Sequence, residues 1–446
     1  MRIIQSSEFD IYWRSQTAQE DDEKTESIVK EIIAAVRKEG DDAVRRFASK
    51  FDKSSPERLE VPFSEATRAL EELRADDPVL TEALELAALN IKTFSEKQKE
   101  KFADFEYEMS CGLITGQRII PVQSAAVYIP GGRFPLFSSV LMCMIPAFCA
   151  GVEEVILSSP PGVNGLPDKK TLAAAAIAAK TAGISDNGKP ISGRKLRLFA
   201  VGGAQAIAAL ALGTESVPKV DVITGPGNKF VAAAKRILFG ETGIDFIAGP
   251  TDVLIIADGS CEQAAELAAA DMLAQAEHDE DARTRALVPN IEFANQITAA
   301  MEKRLAALST EKTARASLDN GGLIIIYQNK EEAIRIANII APEHLELQTA
   351  EDDSWIPRLK NYGSLFIGAL SAEALGDYSA GINHTLPTST SARFTGGLSV
   401  RHFLKTVTTL RCSPGEGYEK ARNAAEIIGK AEGLEGHAQS AAVRKK

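Results

Sequence analysis

Hydrophobic positions change their spacing partway along this chain of 446 residues. Over the first hundred they recur at helical intervals. Ile28, Ile32, Ile33 and Val36 share one helical face, and Gly40-Asp41-Asp42 opens the next turn. A second helical stretch covers 84–101 and ends in a charged run. Nothing in this region points to chemistry. From about Val122, short β-branched runs alternate with Gly/Pro turns and Ala-rich helical stretches. The pattern predicts strands at 125–129, 154–158, 196–201 and 220–224, with helices at 204–212 and 229–239. Segments 159–168 and 185–194 are turn-rich and read as surface loops. A second alternating block follows, with strands at 253–257, 284–288, 322–327 and 364–367. Strands alternating with helices imply a parallel sheet covered on both faces. Two such blocks in series suggest two similar domains facing a cleft, although no residue-level repeat is visible. The last fifty residues return to a helical pattern.

A chain of this length suggests two or three domains. Hydrophobic residues at 45% and charged residues at 25% describe an ordinary globular protein. The net charge of -11 argues against a general nucleic-acid binder, because no basic field meets the phosphates. Local backbone donors can still hold an anionic cofactor. The longest apolar stretch, 138–152, is too short to span a bilayer and reads as a buried helix. No membrane partner is expected. The start, Met1-Arg2-Ile3-Ile4-Gln5, lacks a signal peptide's apolar run. Cys111, Cys143, Cys149, Cys261 and Cys412 form no CxxC pair. That fits reduced thiols in a cytoplasmic protein and offers no thiolate zinc site.

The chemistry concentrates in four of the five histidines: His278, His344, His384 and His437. Each has a carboxylate or carboxamide close by in sequence. Gln275 and His278 are one helical turn apart and can offer an amide oxygen and an imidazole nitrogen to one ion. A helix end with His278 on its dipole is the plainer reading. Glu343-His344, after Pro342, pairs a carboxylate with an imidazole for acid/base work, or is simply a solvated helix start. Asp377 and His384 flank a glycine-containing loop. His402 lacks such partners and reads as a surface or packing residue. Gly131-Gly132, Gly202-Gly203 and Gly225-Pro226-Gly227 each follow a predicted strand, where α/β proteins bind ligands or merely turn. No G-x-G-x-x-G follows a strand, and neither a Walker A motif nor a nucleophile elbow occurs. Histidines and carboxylates without cysteines suit zinc with an open position.

In order along nearly the whole chain, these segments resemble the histidinol dehydrogenase family. The matching blocks are Tyr128-Ile129-Pro130-Gly131-Gly132, Gly202-Gly203-Ala204-Gln205-Ala206, Val217-Pro218-Lys219-Val220-Asp221 and Gly225-Pro226-Gly227-Asn228. They continue with Gln275-Ala276-Glu277-His278, Ala341-Pro342-Glu343-His344, Asn383-His384-Thr385-Leu386-Pro387-Thr388 and Glu432-Gly433-Leu434-Glu435-Gly436-His437. The resemblance implies a homodimeric enzyme using Zn2+ and NAD. It would take L-histidinol through the aldehyde to L-histidine, the last step of histidine biosynthesis. Gln275, His278, Asp377 and His437 match the family's zinc ligands, Glu343 and His344 its acid/base pair, and Tyr128, Gln205 and Asn228 its NAD contacts. His384 and Glu432 match substrate-binding positions, and Thr251 stands at a position that lies at the substrate. The ligands Gln275, His278, Asp377 and His437, with His344, would also touch substrate. His344 would be base in the alcohol step, and Glu343 would activate water in the aldehyde step. The zinc would mainly hold the substrate's imidazole and amino group. The C-terminal segment would cross to the other subunit, so that Glu432 and His437 complete the neighbour's site.

The expected fold is α/β, with two incomplete Rossmann-like parallel-sheet domains facing a cleft and helical terminal segments. The boundaries read as 1–120 helical, 121–250 the NAD-side domain, 251–390 the zinc and acid/base domain, and 391–446 a helical, dimer-swapped tail. Some positions depart from the family. Ala248-Gly249-Pro250-Thr251-Asp252 stands where histidine-making members usually read Ala-Gly-Pro-Ser-Glu, and Ser95 stands where they often have histidine. The segments around Arg133 and Arg393 look closer to a paralogous branch that includes sulfopropanediol dehydrogenases. That branch oxidises other small primary alcohols, and either arginine could hold an anion. Three readings follow: a histidinol enzyme, a dehydrogenase of another small alcohol such as 2,3-dihydroxypropane-1-sulfonate, and a catalytically silent zinc-binding paralogue. Intact Glu343 and His344 argue against the last.

Overall fold

The computed structural model describes residues 1–16, 23–131, 136–184, 193–247 and 249–445. Its strands run in chain order as β1 (Arg2–Gln5), β2 (Glu60–Val61), β3 (Phe105–Ser110), β4 (Leu113–Pro121) and β5 (Ser124–Tyr128). There follow β6 (Glu154–Ser159), β7 (Lys195–Ala200), β8 (Val222–Thr224), β9 (Gly243–Ile244) and β10 (Asp252–Ala257). The last are β11 (Arg283–Val288), β12 (Leu323–Ile326), β13 (His344–Gln348), β14 (Ser364–Ile367) and β15 (Leu404–Cys412).

Two sheets share one winding. The first has the order β2-β7-β6-β5-β8-β9, and the second β1-β12-β11-β10-β13-β14. In each, the chain steps from a central strand to one side and then returns to the other side. The switch points therefore fall between β5 and β8 and between β10 and β13. This is the expected pair of doubly wound α/β units. It is a duplication of topology that leaves no readable trace in residue identity.

Burial on both faces explains the continuous apolar strands. Along β5, Ala125 and Val127 enter one core while Ala126 and Tyr128 enter another. Along β10, Val253, Ile255 and Ala257 face one side, and Leu254 and Ile256 the other. The expected buried helix is present as Ser138–Ala150. It ends on Gly151, whose φ of 106° suits a residue without a side chain.

Three segments differ from expectation. The C-terminal fifty residues are not all helical: β15 pairs antiparallel with β4, which pairs with β3. The threonines and valine of Leu404–Cys412 favour a strand, but nearly all of its side chains are exposed, so no buried stripe marks it. The N-terminal segment is likewise not purely helical. It supplies β1, which lies parallel to β12 in the second sheet, and the β3–β4 hairpin. Glu343-His344 opens strand β13, not a helix. His402 caps a short turn, accepting from Ser399 N through Nδ1 at 3.2 Å.

Candidate active site

A cavity of about 200 Å³ opens between the two sheets. Pro226 and Gly227, just past the carboxyl end of β8, form one wall. Thr251, Glu343 and His344, at the amino ends of β10 and β13, form the opposite wall. Asp377, His384 and Thr388 close it from the loop side. The first sheet thus follows the usual rule of ligands at carboxyl ends. The second presents its amino ends.

The backbone delivers Glu343 and His344 by a sharp stop. The helix Lys330–Ile340 ends on Ala341, which takes a left-handed φ of 49°. For a non-glycine residue this costs on the order of 1 kcal/mol or more. Pro342 prevents the helix from resuming. The turn feeds directly into β13, and His344 pairs in register with Val253 and Ser364.

Asp252 and Glu343 then hold each other. Glu343 N donates to Asp252 Oδ1 at 3.0 Å, and Asp252 N donates to Glu343 Oε2 at 3.1 Å. Thr251 Oγ1 donates to the same Glu343 oxygen at 2.5 Å. Burial pushes the Glu343 carboxyl up to about 7, with His344 and the Thr251 bond pulling the other way. His344 is buried beside Glu373 (Nδ1 to Oε1 3.6 Å) and Asp377 (Nε2 to Oδ1 3.4 Å). Burial alone would lower its pKa, but the carboxylates of Glu373, Glu343 and Asp377 outweigh that and raise it well above the usual value.

One member of this cluster escaped the sequence reading. Glu373 stands four residues before Asp377 on the helix Glu373–Tyr378, so both carboxylates share a face. Ligand atoms of His278, Glu373 and Asp377 lie within 4.8 Å of one another. His344 Nε2, Glu373 Oε2 and Asp377 Oδ1 are buried without an aligned hydrogen-bond partner, although such groups are ordinarily satisfied. The Gln275 amide completes the picture, 2.5 Å from Glu373 Oε1. With nitrogen toward Glu373 it makes a hydrogen bond, and its oxygen competes with Glu343 for the Thr251 Oγ1 proton and the Asp252 N–H. With oxygen toward Glu373, two acceptors meet, which needs a cation beside them or a proton on Glu373, whose carboxyl burial pushes up to about 8. In that orientation Gln275 Nε2 donates to Thr251 Oγ1 at 2.6 Å, which donates in turn to Glu343. Converging N and O donors, orphaned carboxylate oxygens and this amide fit a metal such as zinc.

His384 lines the cavity with both ring nitrogens engaged. Nδ1 lies 2.7 Å from Asp377 O, and a carbonyl only accepts, so Nδ1 carries the proton. Nε2 therefore accepts from Ser139 Oγ at 2.8 Å. Burial lowers the pKa of this ring, consistent with a neutral tautomer.

The cofactor candidates line up at the carboxyl edge of the first sheet. Tyr128 ends β5, and its hydroxyl accepts from Gly203 N at 3.0 Å. Gln205 is buried in the helix that follows β7, and its Nε2 donates to Asp52 Oδ2 at 3.4 Å. Asn228 caps the helix Lys229–Leu238 through Oδ1, accepting from Phe230 N and Val231 N. Between them, Gly225 has φ 111°, and a Cβ there would sit 2.1 Å from Tyr128 O. The Gly225 peptide is gripped from both sides: Lys235 Nζ donates to its oxygen at 3.0 Å and its N–H to Asp245 Oδ2 at 2.8 Å. Lys235 and Asp245 are themselves a buried ion pair. Neither they nor Asp52 carried a sequence signal, since charged residues on a helix or in a loop read as solvated.

Glu432 and His437 stay apart from this group. Both are exposed and neither lines the cavity. They sit at and just beyond the junction of the helices Glu416–Ala431 and Glu435–Ala442, which pack on each other. Arg393 is exposed, donating to Ile339 O at 2.6 Å, and does not line the cavity. Arg133 lies outside the described residues, as do Gly132, Ala248 and most of the predicted 185–194 loop. No described helix is long and apolar enough to cross a membrane.

Comparison with known proteins bears on the chain as a whole. The family profile described as histidinol dehydrogenase matches residues 15–445. The histidinol dehydrogenase of Aquifex aeolicus is 46% identical over 426 residues, covering 95% of this chain and 93% of that protein. That of Thermus thermophilus is 43% identical over 425 residues, covering 95% of each. A crystal structure of histidinol dehydrogenase from Elizabethkingia anophelis superposes with a TM-score of 0.87 at 32% identity, covering 99% of this chain and 97% of that one. On the strength of the profile, the identities and the shared fold, this chain belongs to the histidinol dehydrogenase family.

Proposed function

We propose that this enzyme, an NAD-dependent dehydrogenase by family, oxidises L-histidinol through the aldehyde to L-histidine in histidine biosynthesis, in a zinc-containing homodimer. The observation that carries the reading is the Glu343–His344 pair at the head of β13. It faces His278 and Asp377 in one cavity, with the buried Glu373 grouped beside them.

His344 removes the hydroxyl proton as the alcohol carbon gives up a hydride. Glu343 then takes a proton from water as the water oxygen bonds to the aldehyde carbon. The resulting hydrate loses a second hydride and becomes the carboxylate. In sum, one alcohol, one water and two NAD yield one carboxylate, two NADH and three protons. A pKa of about 7 suits Glu343 to this work near neutrality. Gln275, His278 and Asp377, with His437 of a second copy, would hold the metal, which on binding anchors the substrate's polar end and offsets the carboxylates that keep His344 protonated. Tyr128, Gln205 and Asn228 would orient NAD, the hydride acceptor. Thr251, His384 and Glu432 would complete the substrate's surroundings.

The dimer has its own support. Phe105 and Tyr107 alternate along edge strand β3 and so share one face, Met109 follows at a bulge, and each is more than half exposed. Ile427 and Ile428 are exposed on the neighbouring helix. A second copy covering this arm would bury apolar surface and would bring Glu432 and His437 to its site. Among the described residues no lysine or arginine lines the cavity, and Arg133, the anion-holding candidate of the sulfonate reading, lies outside them.

The test is NADH formation by zinc-loaded protein with L-histidinol beside 2,3-dihydroxypropane-1-sulfonate and a panel of primary alcohols. Two NADH per histidinol, with kcat/KM of roughly 10⁴ M⁻¹s⁻¹ or more, is expected. Turnover of another alcohol without histidinol turnover would overturn the substrate assignment.

A further inference from the structure

Asp252 has a second partner. Its Oδ2 accepts from Arg285 Nη1 at 2.9 Å, while Oδ1 holds the Glu343 amide. Arg285 is on β11, beside β10, and only 5% of it is exposed. Its guanidinium lies over the ring of Trp13, 5.4 Å from the centroid. Trp13 stacks in turn on Phe9, within the helix Phe9–Gln16. The connection Trp13–Arg285–Asp252–Glu343 therefore runs from the N-terminal helix, which carries no sequence signal for chemistry, to the base that activates water.

We propose that Arg285 is a positioning residue for Glu343. A carboxylate can swing about two torsions, and Asp252 alone would have no reason to keep Oδ1 on the Glu343 amide. The buried guanidinium anchors the other oxygen and so fixes the plane of the carboxylate. With Asp252 fixed, Asp252 N and Oδ1 set both the carboxylate and the backbone of Glu343. Lysine would keep the charge but lose the planar fork, so the device needs arginine. Trp13 packs over the guanidinium and limits its swing, while the edge of Arg285 also lines a small pocket with Tyr12 and Pro250.

The effect falls on the water-activating step. Arg285 reaches His344 only through the Asp252 backbone, whose carbonyl lies 3.4 Å from His344 Nδ1, whereas it binds the very carboxylate that holds the Glu343 amide, so hydride loss from the alcohol depends on it less. This inference rests on the reading of Glu343 as the base for aldehyde oxidation.

The experiment compares L-histidinol and L-histidinal as substrates for the holoenzyme, with Arg285→Met, Arg285→Lys, Trp13→Leu and Glu343→Gln alongside, and circular dichroism to confirm folding. Arg285→Met is expected to slow histidinal oxidation at least tenfold more than alcohol oxidation, with KM for the aldehyde little changed. Arg285→Lys should recover part of that loss. Should Arg285→Met fail to fold, Trp13→Leu carries the test, because it keeps both members of the ion pair but removes the ring that packs on the guanidinium, and the same selective slowing is expected. Equal slowing of both steps, or none, with either folded variant would overturn the proposal. If Glu343→Gln itself spares histidinal oxidation, the underlying base assignment fails instead, whatever Arg285 does.

Discussion

The hydroxyl of Thr251 and the carboxylate of Glu343 are 2.5 Å apart, so a residue at the head of one strand holds the base at the head of its neighbour. The methyl that distinguishes threonine from serine leaves this bond intact. Thr251→Val removes the donor and keeps the shape. A hydrogen bond to a charged group contributes about 1.5–3 kcal/mol. Aldehyde oxidation should therefore slow by roughly 10- to 100-fold, while Thr251→Ser stays near the parent rate. Steady-state rates with L-histidinal measure both.

Glu343 must be ionised to accept a proton from water. Because burial lifts it to about 7, the aldehyde step should fall as pH drops through 7 and level off above it. Glu343→Gln should lose that acid limb together with about 10²- to 10⁴-fold of the rate, and alcohol oxidation to the aldehyde should survive. A pH–rate profile that stays flat between pH 6 and 8 in the parent would contradict the assignment.

If Glu432 and His437 serve the neighbouring subunit, active sites are composite. His344→Ala and His437→Ala homodimers should each be nearly inactive. Mixed by unfolding and refolding together, they should regain activity, because some hybrid dimers carry one site with both residues intact. Mixing that yields no gain, with hybrids verified by mass spectrometry, would place His437 in its own chain's site or in none.

Asp52 offers a test away from the catalytic cluster. Partial burial raises it to about 6, against the pull of the Gly202 amide and Gln205. The folded state thus binds this proton more tightly than the unfolded chain, whose aspartates titrate near 4 (about 3.9). Its contribution to stability is full below about pH 4 and is lost as pH rises through about 6. Asp52→Asn should remove that loss, so its melting temperature relative to the parent should improve from pH 4 to pH 7. Since the group is part exposed, water screens the effect and a shift of a few degrees is expected.

Most parallel strands were legible because burial on both faces demands unbroken β-branched runs, and 364–367 was placed with its observed limits. Strand β13 was not, because His344, Glu346 and Gln348 interrupt its apolar signal with buried polar residues. The arm strands β3 and β15 were not, because exposed strands have no buried stripe to display.

The chain order of motifs sufficed to bring together Thr251, Gln275, His278, Glu343, His344, Asp377 and His384 as candidates, since ligating and proton-transferring side chains are few and chemically conspicuous. Their partners were invisible until the chain was folded. Glu373, Arg285, Asp252's second contact and the Lys235–Asp245 clamp are ordinary charged residues in sequence. They acquire meaning only from burial, which strips away water and forces each charge to find a partner. Local pattern determines which segments become strands and helices. Which charges lie beneath them, and what those charges hold, is decided by the packing of distant segments against one another.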